Sequence, residues 1–287
     1  ANPLQEDVDF DGIGDVCDSD TLVFQPEPPT QTADIYNTCT GDLDGDLTTD
    51  LVWSGNFVPG LFVAYGNAGG GFQNAVAVIA ANGAGVSLDF IDDMNLLDVV
   101  AATTDSVYVM INKGNREFTV QAYPLHPGQP AVATGYKRGR TSPVPSVTTG
   151  YFTGDDILDI AVSPNLLFEG TGTEVITPLP PQEQLFEAIA VCDVNSDDID
   201  DICGLAGDSV KFMINDGSAS HTQSASLYLG AASPTVPKRI LAGDFNADGN
   251  WDLASLITYA DSAFSAVMIA YGNGAGGIQD TDRLVIG

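Results

Sequence analysis

The chain has 287 residues, 44% of them apolar, with nine basic residues against thirty-nine acidic ones and a formal charge of −30. Such a length and apolar content suffice to bury a sizeable core in one large or two small domains. The charge argues against nucleic acid as a partner, because phosphate binding needs clustered Lys and Arg, and it disfavours an anionic membrane for the same reason.

All but seven of the acidic residues are Asp. Short, stiff Asp is what turns and metal loops use, and a compact body this acidic repels itself unless cations are bound. No run of about eighteen apolar residues occurs, so no transmembrane helix is expected. A chain that opens on Ala1 without a basic, apolar leader reads as a mature product or a fragment.

The first motif is Asp7-Val-Asp9-Phe-Asp11-Gly12-Ile13-Gly-Asp15-Val-Cys-Asp18. It sets oxygen donors at loop positions 1, 3, 5, 9 and 12 with Gly at 6, the spacing of a helix-loop-helix calcium loop, and Ile13 offers its backbone carbonyl. Only hard, oxygen-seeking cations suit such a cage, so Ca²⁺ is expected over Zn²⁺. A strand near Thr21–Phe24 follows, then Pro26, Pro28 and Pro29 as a stiff linker.

From there one pattern recurs five times: an Asp/Asn-rich loop closed by Asp and followed by apolar residues. The copies are GDLDGDLTTDLVW (41–53), LDFIDDMNLLDVV (88–100), GYFTGDDILDIAV (150–162), CDVNSDDIDDI (192–202) and GDFNADGNWDLA (243–254). The closing residues Asp50, Asp98, Asp159, Asp201 and Asp252 are spaced by 48, 61, 42 and 51, which suits a four-stranded repeat. An apolar strand ending in a Gly/Asn turn follows most loops, as in LFVAYGN, VYVMIN, VKFMIN and AVMIAYGN.

No segment keeps a helical period, so the expected fold is all-β: a β-propeller of about five blades over 21–287 behind a short calcium-binding segment over 1–20. Thr21–Phe24 and Arg283–Ile286 are expected to complete one shared blade.

The first loop offers Asp42, Asp44, Asp46 and Asp50 with the carbonyl of Thr48. The fourth offers Asp193, Asn195, Asp197 and Asp201 with Ile199, and the fifth Asp244, Asn246, Asp248 and Asp252 with Asn250. The second, with Asp89, Asp92, Asp93 and Asp98, reads as carrying an extra residue. In the third, Tyr151 and Thr153 replace two carboxylates, leaving Asp155 and Asp159; full metal occupancy is not expected in either. Two carboxylates about 4 Å apart repel by roughly 4 kcal/mol at an effective dielectric of about 20, so the full loops should splay without cations.

Cys17, Cys39, Cys192 and Cys203 form an even set without zinc spacing. The expected arrangement is two disulfides in an oxidising compartment, Cys192–Cys203 across the fourth loop and Cys17–Cys39, with four buried thiols as the alternative.

At these residues the chain resembles two families. NPLQEDVDFDGIGDVCD is similar to part of a thrombospondin type 3 repeat. The five loops resemble the FG-GAP/VCBS repeats of integrin α-subunit propellers, bacterial surface proteins and certain fungal lectins. The resemblance implies an extracellular location, a β-propeller, Ca²⁺ in the loops, and adhesion or glycan recognition as the usual activity.

The leading expectation is therefore a secreted, calcium-stapled recognition module for a glycan or protein. The alternative is a structural subunit that self-assembles into a filament or layer, docking through Lys137, Arg138 and Arg140 on an acidic neighbour. With only His126 and His221, and neither GxSxG nor HExxH, no enzyme is expected. Trp53, Trp251, Tyr65 and Tyr271 could stack on sugars, although core packing is the plainer role beside strands.

Overall fold

The computed structural model describes residues 35–55, 60–80, 84–92, 96–125, 145–173, 175–182, 184–229, 239–258 and 265–286. The chain divides into two units, Ala1–Ala33 and Asp34–Gly287, and the described residues all lie in the second. The Asp7–Asp18 cage, Cys17, Thr21–Phe24 and the Lys137–Arg140 patch fall outside them.

The described residues form twenty strands and no helix. Sheet one is β1 (Ile35–Gly41), β2 (Asp50–Gly55), β3 (Gly60–Ala64) and β4 (Val76–Ile79); sheet two is β5 (Gly85–Asp89), β6 (Asp98–Ala102), β7 (Ser106–Asn112) and β8 (Phe118–Pro124). Sheet three is β9 (Val147–Gly150), β10 (Asp159–Val162), β11 (Leu166–Gly170) and β12 (Ile176–Pro178). Sheet four is β13 (Ala188–Cys192), β14 (Asp201–Ala206), β15 (Ser209–Asn215) and β16 (His221–Tyr228), and sheet five β17 (Arg239–Gly243), β18 (Asp252–Thr258), β19 (Ser265–Gly272) and β20 (Ile278–Ile286).

Each sheet is an antiparallel meander of four successive strands. Arg283–Ile286 belongs to β20, which pairs along β19 within its own sheet, and Thr21–Phe24, its expected partner in a shared blade, lies outside the described residues.

Such a sheet cannot bury its faces alone, and the apolar alternation shows how the repeats solve this. The first strands lie side by side in succession, β1 by β5, β5 by β9, β9 by β13 and β13 by β17. Four cores fill the spaces between consecutive sheets: Leu43, Val52 and Leu61 meet Val86 and Val99; Val100 and Val109 meet Val147 and Ile160. Phe152 and Ala161 then meet Ile189 and Ile202, and Cys203 and Leu205 meet Ile240 and Leu253. In the three middle sheets one face thus serves the preceding sheet and the other the following one. This is a β-propeller-like arrangement of five four-stranded sheets.

The fifth sheet differs. Its residues at the positions that other sheets hide against a successor stay exposed, Leu241 at 67%, Leu284 at 65% and Phe245 at 46%. The loop residues equivalent to Phe245, namely Leu43, Ile91, Phe152 and Val194, are all buried.

Candidate metal loops and their surroundings

All five loops join the first strand of a sheet to the second and share one frame. The strand-end pairs Gly41–Asp50, Asp89–Asp98, Gly150–Asp159, Cys192–Asp201 and Gly243–Asp252 have the same spacing. The second loop therefore carries no extra residue. In register, Phe90 stands where the first loop has Asp42, and Asp92 where it has Asp44. The third loop has Tyr151 in the Asp42 place, so an exposed aromatic replaces the first donor in both loops.

The closing Asp is buried in every loop, with both carboxylate oxygens bonded to backbone N–H groups. One oxygen accepts from the residue seven positions earlier: Leu43 (2.7 Å), Ile91 (2.8 Å), Phe152 (2.8 Å), Val194 (3.0 Å) and Phe245 (2.9 Å). The other accepts from the end of the third strand: Gly66 (2.8 Å), Asn112 (2.7 Å), Gly170 (2.8 Å), Asn215 (2.7 Å) and Gly272 (2.9 Å). Beyond the ligand role expected of Asp50, Asp201 and Asp252, this constant geometry makes all five closing Asp residues staples between loop and sheet. In loops one, four and five each carboxylate oxygen keeps a lone pair for a further partner, whereas in loops two and three the first oxygen also accepts from Asp92 N (3.2 Å) or from Thr153 N (3.0 Å) and Oγ1 (3.1 Å).

The strand-end position itself explains why it is Gly or Asn. A Cβ on Gly66, Gly170 or Gly272 would collide with the carbonyl of Thr49, Leu158 or Trp251. Asn112 and Asn215 instead donate to the corresponding carbonyls of Leu97 and Asp200, each at 3.0 Å, and also to Leu43 and Phe152 in the preceding sheet's loop.

Loops one, four and five add a curl. Gly45, Ser196 and Ala247 have φ of 78°, 60° and 60°, and two residues later Leu47, Asp198 and Gly249 have φ of 65°, 67° and 86°. These left-handed turns aim backbone N–H groups at the entry carboxylate: Asp42 accepts from Gly45 and Leu47, Asp193 from Asp197 and Asp198, and Asp244 from Asp248 and Gly249.

In the first loop, one oxygen each of Asp42, Asp44 and Asp50 lie within 4.8 Å of one another. The Asp44 side chain is only 10% exposed, and its Oδ1 is buried without a hydrogen-bond partner. An orphaned anionic oxygen beside two further carboxylates is the donor set a hard divalent cation takes, so these residues fit calcium.

Asp46 has its carboxyl lowered by hydrogen bonds from the Thr48 side chain and backbone; its Oδ1 accepts from Thr48 N at 2.7 Å. In loops four and five, Asn195 and Asn246 donate Nδ2 to Asp197 and Asp248 at 2.8 and 3.0 Å, and Ile199 N and Asn250 N bond the same two Asp residues. A cation there requires each Asn to turn its carbonyl oxygen inward. Burial pushes the Asp201 carboxyl up to about 6, with Asp197 and Asp193 adding repulsion, and burial also raises Asp50, Asp98 and Asp159.

Loops two and three spend their groups differently. Asp89 accepts from Thr149 Oγ1 of the next sheet at 2.6 Å, and Asp92 pairs with Lys113 at 3.6 Å. Thr153 Oγ1 bonds both Asp155 and Asp159. Asp93 lies outside the described residues.

The Cys192–Cys203 disulfide is not present: the two buried thiols are 3.9 Å apart, Cys192 donating to Cys203. Register is the reason. Cys192 pairs with Asp201 and Ala190 with Cys203, so the cysteines are diagonal neighbours, whose Cα separation of roughly 7–8 Å exceeds disulfide reach. Cys39 Sγ donates to Val86 O of sheet two at 3.0 Å, and its expected partner Cys17 lies outside the described residues.

Among the aromatics, Trp53 is buried and stacked on Phe62 at 5.5 Å and Tyr65 is buried, so both serve packing; Trp251 is exposed and Tyr271 donates to Asp282. His126 is outside the described residues. His221 is held neutral, its burial lowering its pKa to about 4. It sits in a cleft of about 670 Å³ lined by Gln182, Gln184 and Gln223 over Phe186 and Met213.

No protein-family model matches the sequence, and no curated protein does. Among solved structures, an Agrocybe aegerita lectin, described as specifically recognising non-reducing terminal N-acetylglucosamine, matches with a TM-score of 0.58 at 19% identity. The match covers 85% of this chain, which spans only 65% of the lectin's length. The V. cholerae biofilm matrix protein Bap1 matches at TM-score 0.47 and 12% identity, over 91% of this chain and 41% of that one. The Photorhabdus luminescens Tc holotoxin pore matches at 0.48 and 14%, over 90% and 12%. The lectin likeness gives the fold: this chain is similar to β-propeller proteins in its sheets and their order.

Proposed function

We propose that this chain is an extracellular calcium-binding recognition module of the FG-GAP/VCBS kind, presenting its loops and clefts to a glycan or protein ligand without turning it over. The observation that carries the calcium part is the first loop, where Asp42, Asp44 and Asp50 converge and a buried Asp44 oxygen has no partner. Asp42, Asp44, Asp46 and Asp50 would hold the ion there, with Asp193, Asn195, Asp197 and Asp201, and Asp244, Asn246, Asp248 and Asp252, as the sister sites. Bound calcium supplies charge neutralisation and rigidity, and the loops' own residues set the curl that receives it.

The glycan part draws on the family resemblance of the loops and on a fold shared with a lectin. The cleft beside His221 has the neutral, amide-rich lining over an apolar floor that suits a hydroxyl-bearing ligand. Glycan-array binding with and without calcium tests this reading. Calcium-dependent binding to a defined glycan is expected, and failure to bind any glycan or surface protein contradicts it.

A second reading, a self-assembling structural subunit, is favoured by the uncovered apolar face of the fifth sheet around Leu241 and Leu284. A monodisperse monomer at every calcium concentration in sedimentation removes it.

A further inference from the structure

Arg116 stands on the turn between β7 and β8 of sheet two, and its side chain reaches into the first loop of sheet one. Nε and Nη2 both donate to Asp44 Oδ2, at 2.9 and 2.7 Å, and Nη1 donates to Gln73 Oε1 at 2.8 Å. The guanidinium also lies 4.1 Å from the centroid of the Tyr65 ring. Three separate contacts thus fix it, and each ties sheet two to sheet one.

The consequence falls on Asp44. Its Oδ2 is taken by the guanidinium, and Oδ1 is the buried oxygen without a partner, in a side chain that joins Asp42 and Asp50 in one cluster. We propose that Arg116 is the positioning residue of the first cation loop, clamping one oxygen of Asp44 so that the other is presented to calcium. This rests on the calcium reading of that loop and adds a residue from a different sheet, far from the motif in sequence.

The charge pattern supports it independently. Loop one has Asp44 where loops four and five have Asn195 and Asn246, and Arg116 offsets that additional negative charge. The turn that faces loop four is that of sheet five, where Gly276 N donates to Val194 O at 2.9 Å; four residues beyond the strand-end position it carries Gly276 in place of Arg116, with a similar φ of 73° against 66°. The backbone is the same, and only Arg116 has the reach.

Two effects oppose each other. A guanidinium near a cation repels it, whereas a carboxylate already held in place need not be ordered on binding. Partners that hydrogen-bond a metal's ligands typically contribute about 10- to 100-fold in affinity, and the Arg116 fork fills that role, so positioning is expected to win.

The test uses the full chain with Asp7→Asn, Asp193→Asn and Asp244→Asn, which weaken the other predicted cages, and reads calcium binding by calorimetry. This background is expected to bind one calcium. Adding Arg116→Gln should weaken the dissociation constant about tenfold or more, with Arg116→Lys in between.

An unchanged or tighter constant overturns the positioning role. A background that binds no calcium overturns the cage reading itself, and the inference with it. Should the background fail to fold, Arg116→Gln alone is compared with the unmodified chain by calcium-dependent melting. The midpoint is expected at higher calcium, and an unmoved midpoint overturns the proposal.

Discussion

Loops one, four and five and loops two and three share a frame and differ in content. All five bury a closing Asp against the same two backbone N–H groups, yet in loops two and three the first donor has become Phe90 or Tyr151. The difference separates two tasks that one motif combines: the closing Asp shapes the loop, and on the proposed reading the entry residues make the cage. A loop can lose its cage and keep its shape because the staple does not depend on the other carboxylates.

The hardest test of that separation removes the staple where no full cage exists. Asp98→Ala orphans the N–H groups of Ile91, Asp92 and Asn112, at about 1–3 kcal/mol for each buried group left without a partner. Urea unfolding should show a loss of about 2–5 kcal/mol, the same with calcium or chelator. A loss that vanishes on chelation would mean the closing Asp acts through metal after all.

Next comes the cage without the staple. Asp42→Asn should cost about 2 kcal/mol in calcium at a hundredfold excess over the dissociation constant, because stabilisation by a ligand follows its occupancy. In chelator the same substitution should fall within about 0.5 kcal/mol of the parent. Equal costs in both conditions would merge the two tasks again.

How much of this was legible in the sequence follows from the same distinction. The Asp spacing and the Gly/Asn turns reveal the five repeats, because each repeat must make the same turn and the same pairing. The second loop was misread as longer: Phe90 interrupts the Asp pattern, and only the pairing of Asp89 with Asp98 restores the register. Arg116 was invisible because it lies 72 residues from Asp44 and belongs to another sheet. The Cys192–Cys203 bridge failed on a diagonal offset that residue counting does not resolve.

A pH experiment sharpens the comparison from outside the loops. His221 has its pKa lowered from 6.5 to about 4 by burial, so the unfolded chain takes up a proton that the folded chain refuses. Stability from this group is present above the unfolded value and is lost as pH falls toward the folded one, about 1 kcal/mol between pH 6.5 and about 5.5. His221→Gln should remove that slope from the variant's own stability curve, so that the difference between the two proteins changes by about 1 kcal/mol across this window. An unchanged slope would assign the acid limb to the carboxylates.

The smallest effect is a gain. Tyr151 is exposed at the first donor position of loop three, and Tyr151→Asp would complete a set with Thr153, Asp155 and Asp159. One additional weakly bound calcium is expected, adding up to about 1 kcal/mol at tenfold excess over its dissociation constant. No change in stoichiometry would show that Thr153 disables the loop as well.

On the proposed reading, calcium replaces repulsion among aspartates with shared coordination and so holds this acidic chain rigid. Thermal melting of the purified protein across a calcium titration, with bound calcium counted in parallel, tests it most directly. The account predicts a melting temperature that climbs with calcium and collapses on chelation, with loops one, four and five filled. A melting temperature indifferent to both, or no bound calcium, would contradict it.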